Sequence, residues 1–230
     1  MSGPSSSSTI FLDAQVLRFA VFEKPAMTKQ TVRWGDLTIT QDVAGVPVPS
    51  RTRREGNEAL LQYEIDCIPK LAELTRLGRF EPYINTEVDF EIAWLDLGAL
   101  INTELSFFHG ITLRKVPDPF PYGRIVASSH HTVKELDELR QHIFATDFDE
   151  RFNEIKQAAG GNKNADAFHI LSAERAGLEY FVTVDKKLIN SLRHQRRVQL
   201  SVKVVYPSEL LHQACDWPLN PALHQPAGAR

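Results

Sequence analysis

The sequence of 230 residues is poor in cysteine, has no long apolar run and carries little net charge. Its two cysteines, Cys67 and Cys215, are too few for a disulfide framework or a zinc site built from thiolates. No stretch of about 18 apolar residues occurs, so a membrane span is not expected. The polar segment MSGPSSSST lacks the basic flank and apolar core of a secretory signal, which favours a cytoplasmic location.

The charge balance argues against a protein that attracts nucleic acid through an overall positive charge. With 26 basic and 29 acidic residues, the net charge is −3. The chain therefore has no overall positive field for nucleic acid, and any nucleic-acid binding would require a local basic patch.

Strand patterns and helix patterns alternate along the chain. Short β-branched runs occur at residues 9–13, 181–185 and 201–206, and apolar-periodic segments that favour helices occur at 57–77 and from 164 onward. This alternation is typical of βαβ units. We therefore predict an α/β fold of three layers (α/β/α), with a central, mostly parallel sheet.

The predicted organisation is one domain with a disordered N-terminus. Residues 1–8 are small and polar, residues 9–212 form the domain, and residues 213–230 form a tail with three prolines after 216 and little core. Insertions are expected near 31–54 and 102–160.

The two insertions have different patterns. In the first, TVRWGDLTITQDV predicts a hairpin, and the Pro- and Arg-rich stretch GVPVPSRTRREG predicts a mobile basic loop. In the second, residues 132–159 predict two polar helices, and three prolines argue against regular structure around residues 117–121.

Two predicted strands end in the same way. TIFLD ends at Asp13 and FVTVD ends at Asp185. If both strands are parallel and central, the two carboxylates emerge at one edge of the sheet, where sites of α/β proteins lie. The alternative is that each Asp only caps the helix that follows it.

Two further acids lie on apolar helix faces. Thr86 and Asp89 resemble a helix-start box, and in the helix predicted from 87 to about 101 Glu91 borders the stripe that begins with Val88 and Ile92. Its neighbours Glu87 and Asp89 are expected to reach water, although either could replace Glu91 as the site residue. Asp166 faces inward near the start of the later helix. The alternative for Glu91 is a salt bridge to a nearby arginine. The alternative for Asp166 is that the helix dipole favours an acid in the first turn.

Four inward acids without a matching buried lysine or arginine would repel one another. A divalent cation would neutralise them, and a ligand set of carboxylate oxygens suits Mg²⁺ or Mn²⁺. Ions held in this way are common equipment for cleaving phosphodiesters.

The order of these motifs resembles that of the PIN-domain family, a family of metal-dependent nucleases. The resembling segments are TIFLD, the hydroxyl-then-acid segment from Thr86 to Glu91, the Asp166-Ala helix with its Ala-Gly end, FVTVD, and the last strand followed by Pro207. They cover less than half of the chain, near residues 9–20, 80–95 and 163–211. The chain is longer than the small toxin-type members.

The resemblance implies an activity and a set of residue roles. Asp13, Glu91, Asp166 and Asp185 would be the catalytic metal ligands, and Thr183 would support them from the second shell. The implied activity is a Mg²⁺- or Mn²⁺-dependent endonuclease, a probable ribonuclease, in which a metal-activated water hydrolyses the phosphodiester bond. The alternatives are a catalytically silent nucleic-acid-binding or regulatory module on the same fold, and the toxin of a toxin–antitoxin pair. Nucleic acid, RNA rather than DNA, is the expected partner, and a homodimer or a protein inhibitor are further partners that the family admits.

Several basic residues and histidines complete the candidates. Arg193, Arg196 and Arg197 follow the last acid and could contact phosphate, or could form a solvated turn, and the segment 51–54 leaves the same choice. His169 lies one turn beyond Asp166 and could contact substrate. We expect it instead to be a histidine packed in the core. The pair at 130–131 has no third ligand in metal spacing.

Overall fold

The computed structural model describes residues 7–35, 37–50, 52–94, 98–120, 149–161, 163–195 and 198–220. The strands are β1 (Ser8–Leu12), β2 (Glu23–Trp34), β3 (Leu37–Pro49), β4 (Phe80–Ile84), β5 (Arg114–Lys115), β6 (Tyr180–Val182) and β7 (Lys203–Val205). The helices are α1 (Ala14–Ala20), α2 (Ala59–Arg76), α3 (Thr86–Trp94), α4 (Gly98–Ile101), α5 (Glu150–Ala159), α6 (Asn164–Arg175), α7 (Lys186–His194) and α8 (Pro207–Cys215), with a 3₁₀ turn at Gly56–Glu58.

Five strands form one parallel sheet in the order β5-β4-β1-β6-β7. Helix α2 contacts both α1 and α8, and α5 contacts both α6 and α7. The predicted α/β fold is confirmed, with a central sheet flanked by helices in a three-layer arrangement.

The central strand β1 is the most deeply buried part of the sheet. Ile10, Phe11 and Leu12 are fully buried, as expected of a parallel strand that is covered on both faces. The ring of Phe11 stacks on that of Phe181 in the neighbouring strand, with 5.3 Å between ring centroids. The carboxyl ends of β1 and β6 therefore lie side by side, and the residues that follow them share one edge of the sheet.

Helix α2 runs without interruption through a proline. Pro69 lies inside Ala59–Arg76, where we expected it to break or kink the helix. Ile65, Ile68 and Leu71 are buried around it, so tertiary packing stabilises the helix against the lost hydrogen bond. The helix ends before Gly78, whose φ of +74° is easily adopted by glycine alone.

Strands β2 and β3 form a separate two-stranded hairpin, the arm (residues 23–49). The predicted hairpin is confirmed, but β3 continues to Pro49, so the prediction of a mobile loop over residues 45–49 is wrong. Every residue from Met27 to Gln41 whose burial is described is exposed. At the base, the Ser50 backbone N–H donates to the Phe22 carbonyl at 2.9 Å, and the Ser50 hydroxyl donates to the Val21 carbonyl at 2.5 Å.

The start of α3 differs from the prediction. Thr86 is the first helical residue rather than the cap, and the Val88 N–H donates to Asn85 Oδ1 at 2.9 Å. Asn85 is a stronger cap than threonine because its side chain reaches the first-turn N–H groups readily. The predicted helix from 87 to about 101 is described as α3 and α4, and residues 95–97 between them lie outside the described residues.

The second predicted insertion is described only in part. The helix predicted at the end of 132–159 is confirmed as α5, which Asp149 caps by accepting from the Phe152 N–H. The helix predicted before it and the histidines at 130–131 lie outside the described residues, as do residues 1–6 of the predicted N-terminal tail. Ser8 already belongs to β1.

Part of the C-terminal tail packs against α2. Asn220 is buried, and its amide donates to Glu64 Oε1 at 3.3 Å. The Tyr63 hydroxyl donates to the Pro218 carbonyl at 2.6 Å. The tail was expected to contribute little core, and at these residues polar groups rather than an apolar pattern hold it against α2. None of the helices in the described part of the chain combines the length and apolarity that crossing a bilayer requires.

Candidate metal and active site

Asp13 lies at the carboxyl end of the central strand with its carboxylate turned inward. It is 3% exposed, and it occupies the N-cap position of α1 without any side-chain capping hydrogen bond. The Val16 and Leu17 N–H groups instead donate to the Asp13 backbone carbonyl, at 3.0 and 3.4 Å. Capping therefore does not explain this buried carboxylate.

Thr183 connects Asp13 to the end of the neighbouring strand. Its hydroxyl is fully buried and donates to Asp13 Oδ2 at 2.6 Å. The Thr183 hydroxyl oxygen also accepts a hydrogen bond from the Asp185 N–H, at 3.1 Å. The side chain thus fixes the spacing of the two strand ends, which is the supporting position expected for Thr183.

Asp185 has two different contacts. Its Oδ1 accepts from the Lys187 and Leu188 N–H groups at 2.7 and 3.0 Å, which caps α7. Its Oδ2 lies 2.7 Å from Lys163 Nζ. Burial alone would raise the pKa of Asp185, but the hydrogen bond from Lys163 and the cap hydrogen bonds together hold it below its ordinary value.

Lys163 also contacts Asp166, which begins the buried face of α6. Its Nζ lies 2.9 Å from Asp166 Oδ2, so one ammonium joins two of the four predicted site acids. Burial lowers the pKa of Lys163, but the two carboxylates outweigh burial and raise it overall. The prediction of four acids without a matching lysine is therefore wrong, because Lys163 lies on the turn before α6.

Glu91 faces His169 across the site. The distance from Glu91 Oε1 to His169 Nε2 is 3.3 Å, and the Glu91 side chain is 21% exposed. Contrary to the prediction, Glu87 does not reach water but is buried, whereas Asp89 forms a surface ion pair with Lys115.

A buried polar chain holds His169 in place. The Asn85 amide donates to Ser172 Oγ at 2.8 Å, which leaves Asn85 Oδ1 to face His169 Nδ1 at 3.2 Å. Both ring nitrogens therefore face oxygens that accept. Burial lowers the pKa of His169, but the hydrogen bond and charge of Glu91, with the charges of Asp13 and Asp166, raise it overall.

The carboxylates are close enough to affect one another. Burial, followed by the negative charge of Asp166, raises the pKa of Asp13 to about 7, and Glu91 adds to the effect. His169 and the Thr183 hydroxyl act in the opposite direction. A cation at this edge of the sheet would relieve the cost of ionising Asp13.

The carboxylate oxygens of the four acids suit a hard cation, but the side chains do not converge on one cation position. Among the described residues, no three His, Cys, Asp or Glu side chains converge in the arrangement of a metal site. Lys163 takes one oxygen each of Asp166 and Asp185, and His169 takes one oxygen of Glu91. Among the described residues Asp13 belongs to none of these ion pairs, and its oxygen chemistry fits Mg²⁺ or Mn²⁺.

A cleft lies beside α3, and none of the four predicted site acids is among the described residues that line it. Its volume is about 560 Å³, within the range of small-ligand pockets. Ile92, next to Glu91 in sequence, lines it together with the Asp89–Lys115 pair and His109.

The predicted basic patch is only partly described. Arg193 donates to Glu209 Oε2 at 2.5 Å and lies over the ring of Tyr206, so its charge is engaged within the protein. Arg196, Arg197 and Arg51 lie outside the described residues. Arg54 pairs with Glu58 at 2.7 Å.

Sequence reasoning missed Asn85 and Lys163, which help to organise the site, and named His169 only as a packed histidine or a substrate contact. Two of these residues contact a predicted acid: Lys163 contacts Asp185, and His169 contacts Glu91. Asn85 in turn contacts His169. The available signal was positional, since Lys163 lies three residues before Asp166 and His169 three residues after it. Comparison with known proteins finds no matching family model, no similar curated protein and no similar solved structure.

Proposed function

We propose that the protein is a divalent-metal-dependent endonuclease that hydrolyses phosphodiester bonds in RNA. The observation that carries the proposal is Asp13, a buried residue at the carboxyl edge of a parallel sheet. Its carboxylate makes no capping hydrogen bond and lies within the field of Asp166 and Glu91. Asp13, Glu91, Asp166 and Asp185 would hold Mg²⁺ or Mn²⁺. When bound, such an ion activates water and neutralises charge on phosphate.

The chain's own residues have distinct roles in this proposal. Thr183 keeps Asp13 oriented, and His169 orients Glu91 from the opposite side. The proposal includes an intracellular RNA substrate. The order of the motifs, which resembles that of PIN-domain nucleases, supports it.

A binding or regulatory module without hydrolysis is the second candidate. It is favoured by Lys163, which already neutralises two of the acids without any metal. Metal or RNA binding without cleavage would distinguish it from the nuclease.

The test is cleavage of RNA and single-stranded DNA with Mn²⁺, Mg²⁺ or EDTA. We expect metal-dependent cleavage of RNA, and its loss by at least about 100-fold in Asp13→Asn and Asp166→Asn, because each removes a ligand charge. Asp216→Asn is the matched control, since Asp216 is exposed and its φ of +53° suits asparagine equally.

Circular dichroism and urea unfolding of each variant show whether the fold is retained. Equal cleavage by the wild type and by both site variants would refute the proposal. A folded wild type that binds Mn²⁺ but cleaves neither polymer would favour the binding module.

A further inference from the structure

Lys163 occupies a position that a cation at this site would need. Its Nζ lies 2.7 Å from Asp185 Oδ2 and 2.9 Å from Asp166 Oδ2, so it bridges acids that come from different elements of the fold. Asp185 follows β6, whereas Asp166 lies in the first turn of α6. The ammonium therefore joins the two parts of the site.

The environment of Lys163 allows this contact to be broken without unfolding. Its side chain is 33% exposed, and it stands at the N-cap position of α6, just after a turn in which Gly160 and Gly161 have φ values of 115° and 80°. The four-carbon stem of lysine can rotate its charge into water while the backbone stays in place.

The charges make the two cations mutually exclusive. A divalent ion that shares Asp166 and Asp185 with Lys163 would experience like-charge repulsion at contact distance. If Lys163 leaves, each carboxylate regains a free oxygen, while Asp185 keeps its cap hydrogen bonds through Oδ1.

We propose that Lys163 is a tethered competitor of the divalent cation, which holds Asp166 and Asp185 together in the metal-free protein and leaves them when the ion binds. This inference rests on the proposed metal site and adds a means of regulation to it. The metal-free protein is thereby spared the repulsion of adjacent carboxylates, at the expense of affinity for the ion.

The test is Mn²⁺ binding measured by calorimetry on protein stripped with EDTA. We expect Lys163→Met to bind Mn²⁺ about tenfold more tightly than the wild type, within the range seen when groups around metal ligands are changed. Without metal, the same variant should melt at a lower temperature, because Asp166 and Asp185 lose their shared cation. It should also gain more thermal stability from Mn²⁺ than the wild type does.

Two further variants control for charge and for position. Lys163→Arg keeps a cation and should bind Mn²⁺ no more tightly than the wild type, whereas Lys163→Gln should follow Lys163→Met and serves if that variant does not fold. Lys70→Met is the matched control, because Lys70 is 29% exposed and pairs with Glu73 three residues later at 2.8 Å, outside the site. It should leave Mn²⁺ affinity unchanged.

The outcomes separate this inference from the proposed function. If the wild type binds Mn²⁺ and Lys163→Met and Lys163→Gln bind it equally or more weakly, the competitor role is wrong and the metal site survives. If neither the wild type nor the Lys163 variants bind Mn²⁺, both proposals fail. Binding by the variants that exceeds that of the wild type supports both the competitor role and the metal site, while the cleavage assay tests hydrolysis separately.

Discussion

Glu64 shows how a single buried acid can determine the response of the fold to pH. Its side chain is fully buried in α2, where Oε1 accepts from Ser208 Oγ at 2.8 Å and Oε2 accepts from the Ser208 N–H at 3.0 Å. Burial raises the pKa of Glu64 and outweighs the lowering effect of the hydrogen bonds from Ser208 and Asn220. Folding therefore shifts the protonation equilibrium of Glu64 toward the neutral acid, relative to the unfolded chain.

The sign of the resulting pH dependence follows from linkage. Because the folded-state pKa lies above the unfolded value of about 4.3, the stability contributed by Glu64 is complete below that pH and is lost as pH rises through the folded-state pKa. We expect Glu64→Gln to lack this loss, so its free energy of unfolding should rise relative to that of the wild type as pH increases from 4 to 8.

Urea unfolding across this pH range measures the difference. Glu73→Gln is the control on the same helix, since the Glu73 side chain is 53% exposed, and its effect should stay within about 0.5 kcal/mol at every pH. A difference between Glu64→Gln and the wild type that does not change with pH would contradict the expectation.

The contacts of individual site residues were the hardest feature to predict from the sequence. Asp13 and Asp185 were predictable because the strand pattern that precedes each acid is local and strong. The contact of His169 was not, because Glu91 lies 78 residues away in the chain. The bridging role of Lys163 was not either, because only Asp166 is close in sequence, whereas Asp185 lies 22 residues away. Glu87 was misplaced since helical periodicity alone does not tell which face an adjoining element covers.

The arm behaves as an element with few ties to the rest of the protein. Its strands pair over the whole length from Glu23 to Trp34, and Val32, Leu37 and Ile39 are exposed near the tip. Isolated two-stranded hairpins are only marginally stable in water, so the arm adds little to the stability of the sheet domain.

Excision of the arm tests this independence. Glu23 and Pro49 are register partners, so an Asn-Gly turn in place of residues 24–48 joins them directly. We expect the melting midpoint and the Mn²⁺ affinity of the shortened chain to match those of the full chain, because the Phe22–Ser50 hydrogen bond still closes the base. A chain that no longer unfolds cooperatively would show that the arm is part of the core.

Elements were predicted well where local pattern and packing agree. The strands β1, β6 and β7 and the helices α2, α5 and α6 follow directly from periodicity and turn residues. The extent of β3 was underestimated because Pro47 and Pro49 normally oppose strands, yet a two-stranded hairpin has free edges that tolerate proline.

At the scale of the whole molecule, the two halves of the sheet meet at β1. Phe11 is fully buried, stacks on Phe181, and lies 5.9 Å from the ring of His169. Its register partners are Tyr83 on one side and Phe181 on the other. Packing around this one ring therefore couples β4 to β6 and both to the candidate site.

Truncation of this ring should weaken the entire domain. We expect Phe11→Ala to lower the free energy of unfolding by about 3–5 kcal/mol, because it leaves a cavity between packed layers. Leu77→Ala, at an apolar residue that is 68% exposed, should change it by less than about 0.5 kcal/mol. Urea unfolding followed by fluorescence and by circular dichroism measures both, and non-coincident transitions in Phe11→Ala would indicate that the two halves unfold separately.

The overall architecture was predictable because alternation of strands and helices restricts a chain to few topologies. The strand order was not, since it depends on contacts between segments such as β1 and β6 that are some 170 residues apart.

The two outer strands of the sheet bear on how the protein behaves at high concentration. β5 has two residues and β7 has three, and each begins or ends with a cation that is held in place: Arg114 by Glu81, Lys115 by Asp89, and Lys203 over the ring of Tyr180. Short, charged margins offer little template for a foreign strand. Fibril growth by addition of strands is therefore discouraged at both margins of the sheet.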